Sequence, residues 1–244
     1  MVQAAGTTLQ CGLVKRSDEA AATPEDSTRY LAELAGVTPG DRVLDAGCGV
    51  GGPAMAIARA VPDVVIDGVT VSEVQAKLAR DLIAEAGLAD KVRVHVADFH
   101  RLPFGAGSFD VALYLEVTGY APDRNSLYRE SVRVLRPGGT VYVKEVFRRE
   151  DPLTETQRLS VADFDGLWAC RVPTLSETID GMRAAGLVGI RAREYPFVSM
   201  EHFYESMVSR DDGGIRLNEF GRAFLEIFSD FPAFFGEVKA QRQA

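Results

Sequence analysis

The chain has 244 residues, 46% hydrophobic and 25% charged, a size and balance that suit one α/β domain with appended helices rather than two domains. Its formal charge of −8 argues against nucleic acid as the main partner, because phosphate backbones require a basic footprint. No apolar run is long enough to span a bilayer and MVQAAGTTLQ has no secretory-leader pattern. With three scattered cysteines (Cys11, Cys48 and Cys170), this reads as a cytoplasmic protein with reduced thiols.

Residues 1–30 are polar and alanine-rich, and read either as a frayed terminus or as an arm closing over a site. Thr23-Pro24-Glu25-Asp26 is a turn into a helix over about 24–35, with Tyr30, Leu31 and Leu34 on one side. Residues 37–41 then turn into a first strand that ends at Asp45.

The stretch 41–58, DRVLDAGCGVGGPAMAIA, runs strand, glycine turn, helix. Gly47, Gly49 and Gly52 satisfy the G-x-G-x-x-G spacing, in which glycines permit tight turns and let a ligand lie against the backbone. That spacing alone also fits a dinucleotide site, or a turn that only packs helix on strand. Asp45, two residues ahead of the first glycine, separates the readings. A carboxylate there repels a pyrophosphate and suits an amino group, which points to S-adenosylmethionine, a ligand with an ammonium, a sulfonium and no phosphate.

Residues 64–70 form a second strand, and Ser72 to Gln75 begin a helix with Val71, Val74, Leu78 and Leu82 as its predicted buried side. Thr70 stands where a nicotinamide-binding strand would end in an acid, and Asp67 comes too early for that task. Gln75 either completes a capping box with Ser72 or reaches a ribose hydroxyl. A third strand over 92–96 ends at Asp98 and Phe99, a carboxylate and an apolar ring suited to adenine, with a turn-forming aspartate as the alternative. His95 and His100 read as ordinary strand and loop residues, and no histidine or cysteine set has metal spacing.

A fourth strand over 111–115 is followed by Glu116. Ligands in open α/β sheets bind outside the carboxyl ends of the strands, so Asp45, Thr70, Asp98 and Glu116 are expected to converge on one crevice. A helix over about 123–135, a fifth strand over 140–146 ending near Glu145, a helix after Pro173 and a sixth strand over 187–194 complete the core. The tail beyond carries Phe203, Tyr204, Met207, Phe220, Phe224, Phe228, Phe231, Phe234 and Phe235 and reads as helical, with 197–200 too short for a convincing final strand.

VLDAGCGVGG (43–52), ADFHRLPFGAGSFD (97–110) and LRPGG (135–139) resemble, in order and spacing, the motifs of class I S-adenosylmethionine-dependent methyltransferases. GVTVSEVQ (68–75) and YLEVTGYAPDRNSLYRESVRVLRPGG (114–139) are similar to a subset, the sterol and tocopherol C-methyltransferases and bacterial enzymes methylating prenyl diphosphates. The resemblance implies a doubly wound, mostly parallel Rossmann-like sheet over 31–195, between an amino-terminal arm (1–30) and a helical aromatic tail (196–244). It assigns Asp45, Gly47 and Gly49 to the methionine part of the cofactor, Thr70 and Gln75 to the ribose, and Asp98 and Phe99, with Leu115 nearby, to the adenine. Glu116 and Tyr120 would face the acceptor, with Glu116 the candidate base and Glu145 a second candidate acid or base. Gln10 and Tyr120 depart from the family, standing where relatives carry histidines.

The function expected is methylation of a small molecule, on carbon of an isoprenoid or other specialised metabolite. Oxygen or nitrogen methylation, or cyclisation with the cofactor merely bound, are alternatives. Tyr114, Tyr120 and Trp168 either stabilise a cationic acceptor or pack in the core. Mg2+ enters only if the acceptor carries a diphosphate, for which Arg171, Arg210 or Arg216 would be clamps. No membrane span is expected, and a homo-oligomer built on the tail is compatible with the sequence.

Overall fold

Short apolar runs separated by capped helices build a layered α/β domain in the computed structural model, which describes residues 10, 12–16, 23–195, 198–199, 208–211, 214–219, 221–222 and 233–244. In chain order the elements are β1 (Leu13–Val14), α1 (Pro24–Ala35), β2 (Arg42–Ala46), α2 (Gly52–Ala60), β3 (Val65–Thr70), α3 (Glu73–Glu85), β4 (Val92–Val96) and β5 (Phe109–Leu115). A 3-10 turn (Thr118–Tyr120) leads to α4 (Arg124–Val134), β6 (Leu135–Arg148), α5 (Glu155–Trp168), α6 (Leu175–Ala184) and β7 (Leu187–Glu194). The remainder is β8 (Val198–Ser199), β9 (Val208–Asp211), β10 (Gly214–Leu217) and β11 (Ala233–Arg242).

Seven strands form one sheet in the order β4-β3-β2-β5-β6-β11-β7. The pairs from β4 to β6 are parallel, and β11 runs antiparallel to both β6 and β7. Its central strands are buried on both faces, which is why residues 43–46, 111–115 and 141–143 read as nearly unbroken apolar runs. Helix starts follow their caps: Thr23, Ser72, Asp123, Thr154 and Thr174 each accept a backbone N–H from the first turn. From β2 the chain winds outward one way through β3 and β4, then returns to β5 on the other side. The switch point therefore lies between β2 and β5, where a crevice must open. Among the described residues no helix is long and apolar enough to cross a membrane.

Three points of the sequence reading need correction. The tail is not helical over residues 233–242: Glu237, Val238, Lys239, Ala240 and Gln241 alternate with period two, and β11 inserts Val238 and Ala240 into the core between β6 and β7. The Tyr195 hydroxyl donates to Glu237 Oε2 at 2.6 Å and meets the Tyr142 hydroxyl at 2.5 Å, pinning this strand to its neighbours. The second correction is α5, which the sequence reading passed over because its apolar positions are sparse; Phe164 is its one buried residue. On α3, Val71 and Val74 are exposed rather than buried, and Ala76, Ala79 and Ile83 face the sheet. Phe203, Tyr204, Met207, Phe220, Phe224, Phe228 and Phe231 lie outside the described residues.

The insertion of β11 predicts that Val238→Ala lowers unfolding free energy by roughly 1.5–3 kcal/mol in urea titrations. Val188→Ala on β7, where the side chain is exposed, stays within about 0.5 kcal/mol of the parent.

Candidate active site

The strand ends at the switch point enclose a cavity of about 550 Å3, bounded by the turns after β2, β3, β4 and β5. Asp45, Gly47, Gly49, Thr70, Gln75, Asp98, Phe99, Leu115, Glu116 and Tyr120, all singled out from the sequence, line it together.

The turn after β2 is held tightly. The amides of Gly47 and Cys48 both donate to the Val69 carbonyl at 2.9 Å. Gly47 has φ of 84°, and a Cβ there would fall 2.3 Å from a methyl of Val117. Asp45 is 2% exposed, and its Oδ2 finds no hydrogen-bond partner among the described residues. Burial alone pushes its carboxyl up to about 7. A charge desolvated in this way is complete only when a cation meets it. Burial, with the Asp45 charge beside it, also raises the Cys48 thiol, which makes it a poor nucleophile.

At the end of β3, Gln75 leaves the expected capping box incomplete and lines the cavity. Ser72 accepts the Gln75 amide in a helix cap, but the Gln75 carboxamide does not return to the cap. It accepts from the Thr70 hydroxyl at 2.8 Å, placing both polar groups on the cavity wall. Asp67 points elsewhere, bonded to His95 at 2.9 Å and Arg42 at 3.2 Å. After β4, the Asp98 carboxylate accepts from the His100 amide at 2.8 Å and meets its ring Nδ1 at 2.7 Å. Partial burial works to raise the Asp98 pKa, but these His100 contacts outweigh it and hold the acid below its ordinary value. Phe99 packs on the same imidazole at 4.8 Å. His100, read from sequence as a bystander, thus lines the cavity, with a buried Nε2 that has no hydrogen-bond partner among the described residues.

Glu116 has φ of 55°, an uncommon conformation for a residue with a side chain. Its amide donates to the Lys144 carbonyl at 2.7 Å, and its carboxylate is ion-paired with the Lys144 ammonium. Behind Glu116 lies a smaller chamber of about 50 Å3, walled in part by Tyr120, Glu145, Phe164 and Trp168. Glu145 Oε2 accepts from the Thr118 hydroxyl at 2.8 Å and amide at 2.9 Å. Burial, and then the charge of Glu116, push its carboxyl up to about 7. The site therefore holds one lysine-paired carboxylate beside one whose carboxyl is raised by burial.

Tyr114 is placed elsewhere: it is fully buried, meets Ser131 Oγ at 2.6 Å and does not line the cavity, so the packing reading holds for it. Arg171 is ion-paired with Glu177 at 2.9 Å. Besides His100, sequence reasoning gave no role to Lys144 and missed α5, which delivers Leu167 and Trp168 to the wall. A lysine inside the apolar run VYVKEV was the available signal for the first.

Residues 44–143 match the family model of a methyltransferase domain. The chain is 44% identical over 125 residues to 27-O-demethylrifamycin SV methyltransferase of Amycolatopsis mediterranei, covering 50% of this chain and 46% of that protein. It is 32% identical over 189 residues to a sterol 24-C-methyltransferase of Gibberella zeae, covering 75% and 46%. It thus spans about half the length of the curated relatives it matches. The geranyl diphosphate C-methyltransferase of Streptomyces coelicolor, solved with Mg2+, geranyl diphosphate and S-adenosyl-L-homocysteine, superposes with a TM-score of 0.78 at 20% identity. That alignment covers 97% of this chain and 92% of the other, and shows a shared fold.

Because the folded-state pKa of Asp45 is raised, the ligand-free chain gains stability from this group below about pH 4 and loses it as pH rises toward 7. Asp45→Asn is expected to raise the melting temperature of the ligand-free chain at pH 7–8, the gap closing near pH 4; parallel melts across that range check it.

Proposed function

We propose that this chain, whose residues 44–143 match the family model of a methyltransferase domain, is an S-adenosylmethionine-dependent methyltransferase of a small molecule. The observation that carries this reading is the buried Asp45 oxygen, without a hydrogen-bond partner among the described residues, beside a glycine cradle in a cavity that polar strand-end residues share with Phe99, Leu115, Leu167 and Trp168.

The residues present fit the cofactor. Asp45 would meet its ammonium, the Thr70–Gln75 pair its ribose hydroxyls, and Asp98 with Phe99 and Leu115 its adenine. When bound, the cofactor supplies an electrophilic methyl group carried on a sulfonium. The chain's task is then alignment, which supplies roughly 7–11 kcal/mol when geometry is enforced. Tyr120 and Trp168 line the smaller chamber with Glu116 and Glu145, so positive charge developing on an acceptor there would have aromatic rings and carboxyl groups as neighbours.

An alkene carbon that has gained a methyl group leaves a neighbouring cation that must lose a proton, and Glu116 is the group we assign to take it. Carbon methylation of an isoprenoid-like acceptor is the reading we favour, supported by the sterol relative and the C-methyltransferase fold. Oxygen methylation of a natural product is a second reading, favoured by the higher identity to the rifamycin relative. There Glu116 would take the hydroxyl proton. An acceptor bearing a diphosphate would bring Mg2+ with it.

Titration calorimetry with S-adenosyl-L-homocysteine against NADH tests the cofactor assignment; preferential binding of NADH overturns it. Labelled donor incubated with prenyl, sterol and phenolic acceptors, followed by NMR of the product, separates carbon from oxygen methylation. Glu116→Gln is expected to lower turnover by about 10²–10⁴, far more than it weakens donor binding. An equal loss of both would make Glu116 a cofactor ligand instead.

A further inference from the structure

Lys144 is used neither by the glycine turn nor by the cofactor assignment, yet among the described residues it is the charged residue most completely removed from water. It stands in β6 among Val141, Tyr142, Val143 and Val146, with none of its surface exposed. A buried ammonium persists only if its partners are exact in placement and number. Its Nζ pairs with Glu116, donates to the Gly12 carbonyl at 2.6 Å and lies 5.1 Å from the Phe235 ring centroid on β11.

Gly12 closes the arrangement, since its amide donates to Glu116 Oε1 at 3.2 Å. One residue of the amino-terminal arm is thus gripped at its carbonyl by the cation and at its amide by the anion of the same pair. On one side of this grip Gln10 is buried and lines the large cavity. On the other, Leu13 and Val14 pair with Ser199 and Val198, and the Val14 amide donates to Ser27 Oγ at 2.9 Å. At Gly12, arm and cavity wall are joined through a buried ion pair.

We propose that Lys144 is a positioning residue with two linked tasks: it fixes the Glu116 carboxylate on the cavity wall, and it straps Gln10 and Gly12–Val14 against the cavity so that a bound ligand is retained. The second task rests on the cofactor reading only for the identity of that ligand. The strap itself is a property of the ligand-free chain.

The test uses the full chain and two variants, Lys144→Met and the charge-balanced Lys144→Met/Glu116→Gln, which leaves no buried charge unpaired if the single variant folds poorly. Hydrogen exchange of the ligand-free proteins is expected to show the Gly12 and Val14 amides exchanging at least about tenfold faster in both variants, with β2 and β3 amides unchanged. S-adenosyl-L-homocysteine release, followed by fluorescence of Trp168, the single tryptophan and a cavity residue, is expected to accelerate by about tenfold or more. Exchange and release within about twofold of the parent would overturn the proposal, as would exchange rising equally across the whole sheet. Failure of the parent chain to bind S-adenosyl-L-homocysteine would sink the cofactor assignment while leaving the exchange measurement to judge the strap.

Discussion

A carboxylate stripped of water at the end of β2 is the constraint on which the site depends. Asp45 is held there because β2 is central to a sheet covered on both faces, and because the turn that follows is bonded to the end of β3. The chain accepts a desolvated acid whose ionised form is disfavoured by its own surroundings. A ligand's positive charge would relieve such a group, whereas a phosphate would be repelled by its ionised form.

The second pair of acids shows how environment divides labour between chemically similar groups. Glu116 and Glu145 leave adjacent strands, β5 and β6, at nearly the same level. Lys144 beside Glu116 stabilises a charge there, whereas Glu145 has burial and a neighbouring negative charge, offset in part by donors from Thr118 and Val146. Glu116 is thus ion-paired, whereas Glu145 is raised by burial and by the neighbouring carboxylate. Arg124, which donates to the Thr118 carbonyl at 3.2 Å, fixes the turn carrying these donors and so belongs to the same construction.

Much of this was legible before any coordinates. Strand ends in an open α/β sheet fall on one edge by topology, so Asp45, Thr70, Asp98 and Glu116 could be placed in one crevice from their positions after apolar runs. Elements packed less regularly were not legible. The helix α5 buries one residue and has little apolar periodicity, and β11 has a plain alternation that five residues of polar-apolar pattern disclose only weakly. Tyr114 and Tyr120 looked equivalent as aromatic candidates, yet strand alternation sends one into the core and the following turn carries the other to the cavity mouth.

By itself, then, the sequence determined the class of fold, the glycine cradle with its aspartate and the set of residues at the strand ends, because these follow from periodicity and local chain geometry. Only the tertiary structure decided which way Gln75 turns, that His100 enters the cavity wall, and that Lys144, ion-paired with Glu116, meets Gly12 across 132 positions of sequence. Contacts of that kind arise from side-chain packing between distant segments, and no local pattern in either segment encodes the partner it will meet.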